Sequence, residues 1–363
     1  MSPIEKTATN QNVWVHRVRC CTALAVTTLI LLTGCAGGGT HRSSHDGTVP
    51  EWFFDSGTVY PQDRYLTAVG GGDTRAEAER QALSTLAQQF SVGVVVDAQT
   101  QQRYRHVASA TGTIEELELD LVQTVQIDAA QRLLNVRFGD AAVDGRGTTH
   151  VIAYIQRAPT ARLYEDLIRR NSEQTERLLD EMDRSTSAMR RYALSGAASA
   201  LAAGGETLRQ QLRIIHPDTA ARIAVPFQLD ELEQLHAHQT AMVRTRVAAG
   251  GDEAARVATL IRQEVSRRGF PVVDSDAVVH VRAEVRKEPI DVAARIHTVQ
   301  WEVSLVVEDD ARETLVSIAS TGTSSGSSAV AANAFANRDI DAVITSAFAE
   351  RLQEYVDGLV SRQ

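Results

Sequence analysis

The sequence predicts an α+β chain: two small units of mixed helix and strand joined by a helical segment, after a cleaved leader and a flexible tether. Three observations carry that prediction. Apolar residues recur at helical spacing in some stretches (Leu83, Leu86, Ala87, Phe90) and at strand spacing in others (Val299, Trp301, Val303, Leu305). The two patterns interleave on both sides of residues 161–215, a segment rich in Leu, Ala, Arg and Glu. At 363 residues and 43% hydrophobic content the chain is long enough to bury two cores of ordinary size.

Residues 1–34 read as the leader. His16, Arg17 and Arg19 precede an apolar run over 22–32. A mature membrane span needs about 20 apolar residues, so this run is too short for one and fits a signal peptide. It closes on Leu32-Thr33-Gly34-Cys35, which resembles the lipobox of bacterial lipoproteins. The resemblance implies cleavage before Cys35, a diacylglycerol thioether on its sulfur and an acyl chain on the new amino group. Stable anchoring takes more than one chain, so the membrane becomes a partner through the lipid on Cys35. Ala36, rather than Asp, after the lipidated cysteine implies the outer membrane, facing the periplasm. Cys20 and Cys21 leave with the leader, so the remainder holds no intrachain disulfide, thiolate nucleophile or Cys-rich metal site. A leader of charge +2 removed from −9 leaves −11, which argues against nucleic acid as a partner.

The tether, 35–49, is Gly/Ser/Thr-rich without apolar period. The first unit, 50–157, starts at Pro50-Glu51-Trp52. A strand is predicted over 64–69, a turn at Gly70-Gly71-Gly72, a helix over 73–90 with a Thr74-x-x-Glu77 capping box, and a strand over 91–97. Residues 113–127 suit a strand face and a helix face equally. Extended runs over 132–143 and 148–157 meet at Gly145-Arg146-Gly147, a hairpin signal.

The Pro-x-Trp opening, the Ala68-Val69-Gly70 strand end and the Ala-rich helix after its Thr-x-x-Glu cap resemble the LPP20 type of bacterial lipoprotein domain. The resemblance covers about 50–157. It implies an envelope protein, with flagellar basal structures among the places where such domains occur, and it brings no catalytic residue.

The segment 158–217 is the helical connector: one long helix to about 194, a break at the small-residue stretch 195–205, and a shorter helix to 212. His216-Pro217 ends it. In 218–363 the predicted order is a strand over 222–227, a helix from Leu229, a helix over 252–268, a short strand after Gly269, strands over 277–286, 296–308 and 314–320, a polar loop over 321–328 and a closing helix over 339–359. One face of the sheet is expected to be covered. This order is similar in outline to small domains of lipoproteins that activate peptidoglycan synthases.

Chemistry is sparse. Gly70-Gly71-Gly72-Asp73 lacks the Walker lysine, and Asp73 stands where a phosphate would sit, so it reads as a turn and cap. His236 and His238, with Glu231 and Glu233 before them, lie on a predicted helix, where i and i+2 diverge by about 200°. The runs Glu115-Glu116 and Glu308-Asp309-Asp310 read as solvated edges and turns, and Trp301 as core. The expectation is a non-catalytic protein without metal or cofactor. Its role is structural or protein-binding, toward other envelope proteins, flagellar basal structures or the cell-wall synthesis machinery. The alternatives are a regulator of a peptidoglycan-synthesising enzyme and a small-molecule carrier.

Overall fold

The computed structural model describes residues 50–91, 98–113, 125–126, 132–224, 226–293 and 296–361. Cys35, the tether, Glu115 and Glu116 lie outside them, as does most of 113–127. The fold is α+β.

Two short helices, α1 (Glu51–Phe54) and α2 (Ser56–Val59), bury Trp52 and lead into β1 (Tyr65–Gly72) and α3 (Arg75–Ser91). The capping box forms as read: Glu77 N–H donates to Thr74 Oγ1 at 3.3 Å, and Asp73 N–H donates to Glu77 Oε2 at 3.0 Å. The three glycines do not turn the chain. They are the end of β1, and a Cβ on Gly70 would overlap the backbone of Ala78 and Ala82. Glycine here lets helix and strand touch. Ser91 closes α3 rather than opening a strand, and 92–97 lie outside the described residues.

Helix α4 (Ala98–Ala110), which the sequence reading missed, follows, and then β2 (Val125–Gln126), β3 (Arg132–Leu133), β4 (Arg137–Phe138), β5 (Ala142–Val143) and β6 (Thr149–Gln156). The expected run 132–143 is thus broken into three pieces, because Asn135 takes a left-handed φ of 57°. Strands β1, β4 and β5 all pair antiparallel with β6, and β2 pairs separately with β3. The hairpin turn at 144–148 is held by the Asp144 carboxylate, which accepts from Arg146 N–H and Thr148 N–H at 2.9 Å each.

The connector is a helical hairpin of α5 (Arg157–Arg184) and α6 (Ala188–Ile215). Its break falls at 185–187, where the Ser187 hydroxyl accepts from Arg190 N–H, and not at 195–205. That small-residue stretch is the interior of α6, with Ser195, Ala197, Ala198, Ala200, Leu201 and Gly204 buried. Alanines favour helix, and small size serves close packing. A Cβ on Gly204 would overlap the ring of Tyr104 in α4, and one on Gly196 would press on the His236 ring.

Next come α7 (Pro217–Arg222), α8 (Leu229–Met242), β7 (Thr245–Gly251), α9 (Ala254–Arg267), β8 (Val279–Ala293), β9 (Ile296–Asp309), β10 (Thr314–Gly326), α10 (Ala329–Ala342), a π-helical turn (Val343–Ala347) and α11 (Phe348–Ser361). Three expectations are corrected. The strand predicted over 222–227 is absent from the described part of that stretch, because Pro217 starts a helix through Arg222 and Pro226 removes a ladder donor. The first strand of this sheet is instead β7, whose Thr-Arg-Val-Ala-Ala-Gly-Gly carries little apolar signal; the strand expected after Gly269 is only a bridge between Val272 and Thr245. The polar loop 321–328 is largely strand, and the closing helix begins at Ala329 with the Ser328 hydroxyl accepting from Ala331 N–H. The sheet order is β10-β9-β8-β7, with β7 and β8 parallel and the rest antiparallel.

Two apolar clusters fill the described chain, and the hairpin belongs to both. Tyr164, Leu167 and Ile168 of α5 and Leu208, Leu212 and Ile215 of α6 pack with β1, α3 and β6. Leu178 and Met182 of α5 and Met189, Leu194 and Leu201 of α6 pack with α4, the second sheet and α9–α11. At the base of the hairpin the Arg157 guanidinium donates to the carbonyls of Gln62 (2.9 Å), Tyr65 (3.2 Å), Ile214 (3.0 Å) and Ile215 (2.6 Å). Hydrogen bonds from a charged donor contribute about 1.5–3 kcal/mol each.

A paired glycine test follows. Gly204→Ala should cost about 1–3 kcal/mol by overpacking against Tyr104. Gly358→Ala, in α11 with open space at the Cβ position, should gain about 0.5–1 kcal/mol from helix propensity. Urea denaturation followed by circular dichroism reads both; equal effects would refute the packing assignment.

Candidate functional site

Two hollows flank α6. The larger, about 360 Å³, opens between α5, α6 and the start of α8. Its floor is polar because the sequence places Asn171, Ser172 and Thr175 on one face of α5. Asn171 is buried and donates to the Tyr104 hydroxyl at 3.1 Å, while Thr175 Oγ1 donates to the Asn171 carbonyl at 2.8 Å. Burial pushes the Tyr104 phenol up to about 12, against the lowering effect of Asn171. The wall is Gly205, Glu206 and Arg209, with Arg209 Nε donating to Glu206 Oε2 at 2.7 Å and Gln210 Nε2 to Oε1 at 3.1 Å. Its volume sits at the lower end of the ~300–1,000 Å³ of small-molecule sites. Asn171, Thr175, Glu206 and Arg209 are hydrogen-bonded within the protein, while Gln210 Oε1 is buried without a partner.

The smaller hollow, about 120 Å³, surrounds His236. Ser195 Oγ stands 3.0 Å from His236 Nδ1, a pairing that suggests a nucleophile and base. The local geometry assigns it otherwise. Ser195 is buried in the middle of α6, and its hydroxyl donates to the Tyr192 carbonyl at 3.0 Å. A serine hydroxyl carries one proton, so with it on the Tyr192 carbonyl the contact with His236 is Nδ1–H donating to the oxygen, a structural link between α6 and α8. The imidazole also stacks on Tyr192, centroids 5.1 Å apart. Burial first, and then the nearby Arg103 charge, holds the His236 pKa below its usual value. On the same hollow His106 Nε2 pairs with Asp357 Oδ2 at 3.0 Å, joining α4 to α11.

The other residues singled out in the sequence are scattered. His238, Glu231 and Glu233 are exposed on α8, apart from half-buried His236. Among the described residues no group of three His, Cys, Asp or Glu side chains is arranged to hold a metal. Asp309 shapes the β9–β10 turn by accepting from Glu313 N–H at 2.8 Å, and Asp310 is exposed beside it. Trp301 is core, packed over Gly322, and its Nε1–H donates to Ser324 Oγ at 3.1 Å. Ser324 in turn donates to Asp339 at 2.7 Å. Sequence reasoning missed the whole polar floor of the larger hollow. Its only sequence trace is the pair of glycines at 204 and 205 in a helical run.

The LPP20 lipoprotein family model matches residues 50–156, under a third of the chain. No curated protein matches the sequence. Among solved structures, the secreted protein HP1454 from Helicobacter pylori aligns over 81% of this chain and 98% of its own, at 13% identity and a TM-score of 0.38. A minor lipoprotein from Acinetobacter baumannii aligns over 33% of this chain and 91% of its own, at 10% identity and a TM-score of 0.21. A protein described as a lipoprotein from Caulobacter crescentus aligns over 32% and 88%, at 16% identity and a TM-score of 0.21. At these scores the three structural likenesses carry no argument. Among the described residues no helix is long and apolar enough to cross a membrane.

A structural His236 has a pH signature. Its folded pKa lies below the ordinary ~6.5 of the unfolded chain, so the unfolded state binds the proton more readily. The stability this contributes is complete above about pH 6.5 and is lost as the pH falls through the folded value. His236→Gln should therefore shrink the drop in urea midpoint between pH 7.5 and 5.5. An undiminished drop would place the titration elsewhere.

Proposed function

We propose that this chain is a lipid-anchored protein of the cell envelope that works by binding other envelope components, not by catalysis. One observation carries the reading: the LPP20 lipoprotein match begins at residue 50, a short tether after the Cys35 of Leu32-Thr33-Gly34-Cys35. The lipobox pattern and the domain match are independent, and both point to a lipoprotein. Three acyl chains on Cys35 give durable attachment, and Ala36 favours the outer membrane, with the folded part facing the periplasm. Partners in this reading are other envelope proteins, among them flagellar basal structures or the cell-wall synthesis machinery. Element order in 218–363 supports regulation of a peptidoglycan-synthesising enzyme as the more specific role. The larger hollow's polar lining speaks against a carrier of apolar cargo.

Replacing Cys35 by Ser should abolish fatty-acid labelling, leave the leader uncleaved by the lipoprotein peptidase and release the outer-membrane fractionation of the wild-type chain. Labelling that persists in C35S would contradict the anchoring, and wild-type protein recovered in the inner membrane would contradict the outer-membrane sorting.

A further inference from the structure

Three of the described sheet edges differ in how they are protected. An unpaired edge strand offers a row of free N–H and C=O groups, and proteins blunt such edges with side chains, prolines, charges or covering segments. Edge β1 is blunted from its own helix: Gln89 Nε2 donates to the Thr67 carbonyl at 3.0 Å, and Gln81 Oε1 accepts from Gly71 N–H at 2.9 Å. Arg157 takes the Tyr65 carbonyl. Edge β7 is seven residues long, carries Arg246, and is covered at its start by 271–273, where Thr245 N–H donates to the Pro271 carbonyl and Val273 N–H to the Thr245 carbonyl. Edge β10 carries only a register irregularity between Thr314 and Val316 at its start. Its 13 residues, Thr314–Gly326, contain no charge and no proline, and among the described residues no helix or loop backbone bonds to it from outside.

Below that edge lies an apolar side chain. On α10, Asn337 reaches toward β8 by accepting from Lys287 Nζ at 3.0 Å, whereas Asp339 reaches toward β10 through Ser324. Phe335 is one turn before Asp339 on the same side of α10, the side that reaches β10, and it is 42% exposed with Arg338 5.4 Å over its ring.

We propose that β10 pairs antiparallel with β10 of a second copy, extending the four-stranded sheet across a two-fold axis, with the two Phe335 side chains beneath the seam. Self-complementarity favours a second copy over other occupants. A two-fold near Ser320, the midpoint of the strand, sets Ala319 opposite Thr321 and Ser317 opposite Thr323, all exposed on the outer face. Small and hydroxyl-bearing cross-strand pairs of this kind are favourable, and no like charges meet. In a chain as acidic as −9, 13 consecutive uncharged residues remove the repulsion that would oppose self-contact. The antiparallel arrangement also brings the exposed acidic turn of one copy, Asp310 and Glu313, to the N-terminal end of α10 in the other, where the helix dipole favours negative charge. Size suffices as well. Thirteen residues span about 44 Å, and with the helix layer beneath them the contact is roughly 600–800 Å² per copy, within the range of stable dimers. The interface is isologous, so it closes on itself and leaves neither copy with a bare β10.

The inference rests on the geometry of the second sheet and not on the lipid anchor, so it stands or falls separately from the proposed function. The test is sedimentation equilibrium of the full chain in a non-ionic detergent, across micromolar concentrations, for wild type, A319K/T321K, F335E and a Q300K control on an inner strand. Both altered positions in the double variant are exposed on the outer face, and circular dichroism is the check that it folds. Wild type and Q300K should sediment as dimers. A319K/T321K, which sets lysines opposite one another across the seam, should raise the dimer dissociation constant at least ~100-fold, and F335E should weaken it in the same direction. A monomeric wild type, a dimer undisturbed by A319K/T321K, or a wild type that pairs through β10 only when a strand from another envelope protein is added would overturn the proposal.

Discussion

Glycine at 204 lets the ring of Tyr104 lie against the backbone of α6, and glycine at 196 does the same for His236, so α4 and α8 reach that helix with no side chain between. Buried Ala193, Ala197 and Ala200, linked to the two glycines by i+3 and i+4 spacings, extend the same narrow face. Because helices pack at 8–10 Å only where the side chains at the contact are small enough, this face fixes where α4 and α8 stand. Its neighbours then set the rest. Tyr104 orients Asn171 and so builds the floor of the larger hollow, and His236 with Tyr192 builds the wall of the smaller one. The hairpin that carries the face is itself held at its open end by Arg157, whose donors satisfy four carbonyls from two parts of the chain. The fold therefore has a spine made of α5 and α6, with one apolar cluster gathered at each end of it.

How much of this was legible in the sequence depends on whether the signal is local. The Thr74–Glu77 cap, the β6 strand, the amphipathic α9 and the alternating β9 are set by near neighbours, and they appear where the pattern puts them. Three of the misreadings share one cause. Small residues at Gly70, at 195–205 and at Gly322 read locally as turns, breaks or loops, yet each lies inside a regular element and permits close approach by a distant partner: Ala82, Tyr104 and Trp301 in turn. That information is long-range, and no window of sequence contains both halves of it. Strand β7 escaped notice for a related reason, since its pairing with β8 and cover from 271–273 supply what its own side chains lack.

The same distinction separates function from site. The proposed anchoring rests on a local pattern, four residues ending at Cys35, and needs no fold to be read. A binding face is not written that way. The polar floor under α6 depends on Asn171, Thr175 and Tyr104, which are up to 71 residues apart in the chain (175 − 104). The bare edge at β10 is meaningful only beside the edges that are guarded. His236 shows the opposite danger, for a Ser–His contact at 3.0 Å looks like chemistry until the serine is seen to be buried in mid-helix with the Tyr192 carbonyl equally close.

Native-state hydrogen exchange read by mass spectrometry, at increasing urea, tests the spine most directly. If α5 and α6 hold both clusters, their central amides are the slowest in the molecule, and protection in β6 and in β9 does not outlast theirs, because no core remains once the hairpin opens. If the amides of 165–210 exchanged early while β6 and β9 stayed protected, the hairpin would be a removable connector, and the account of the fold given above would be wrong.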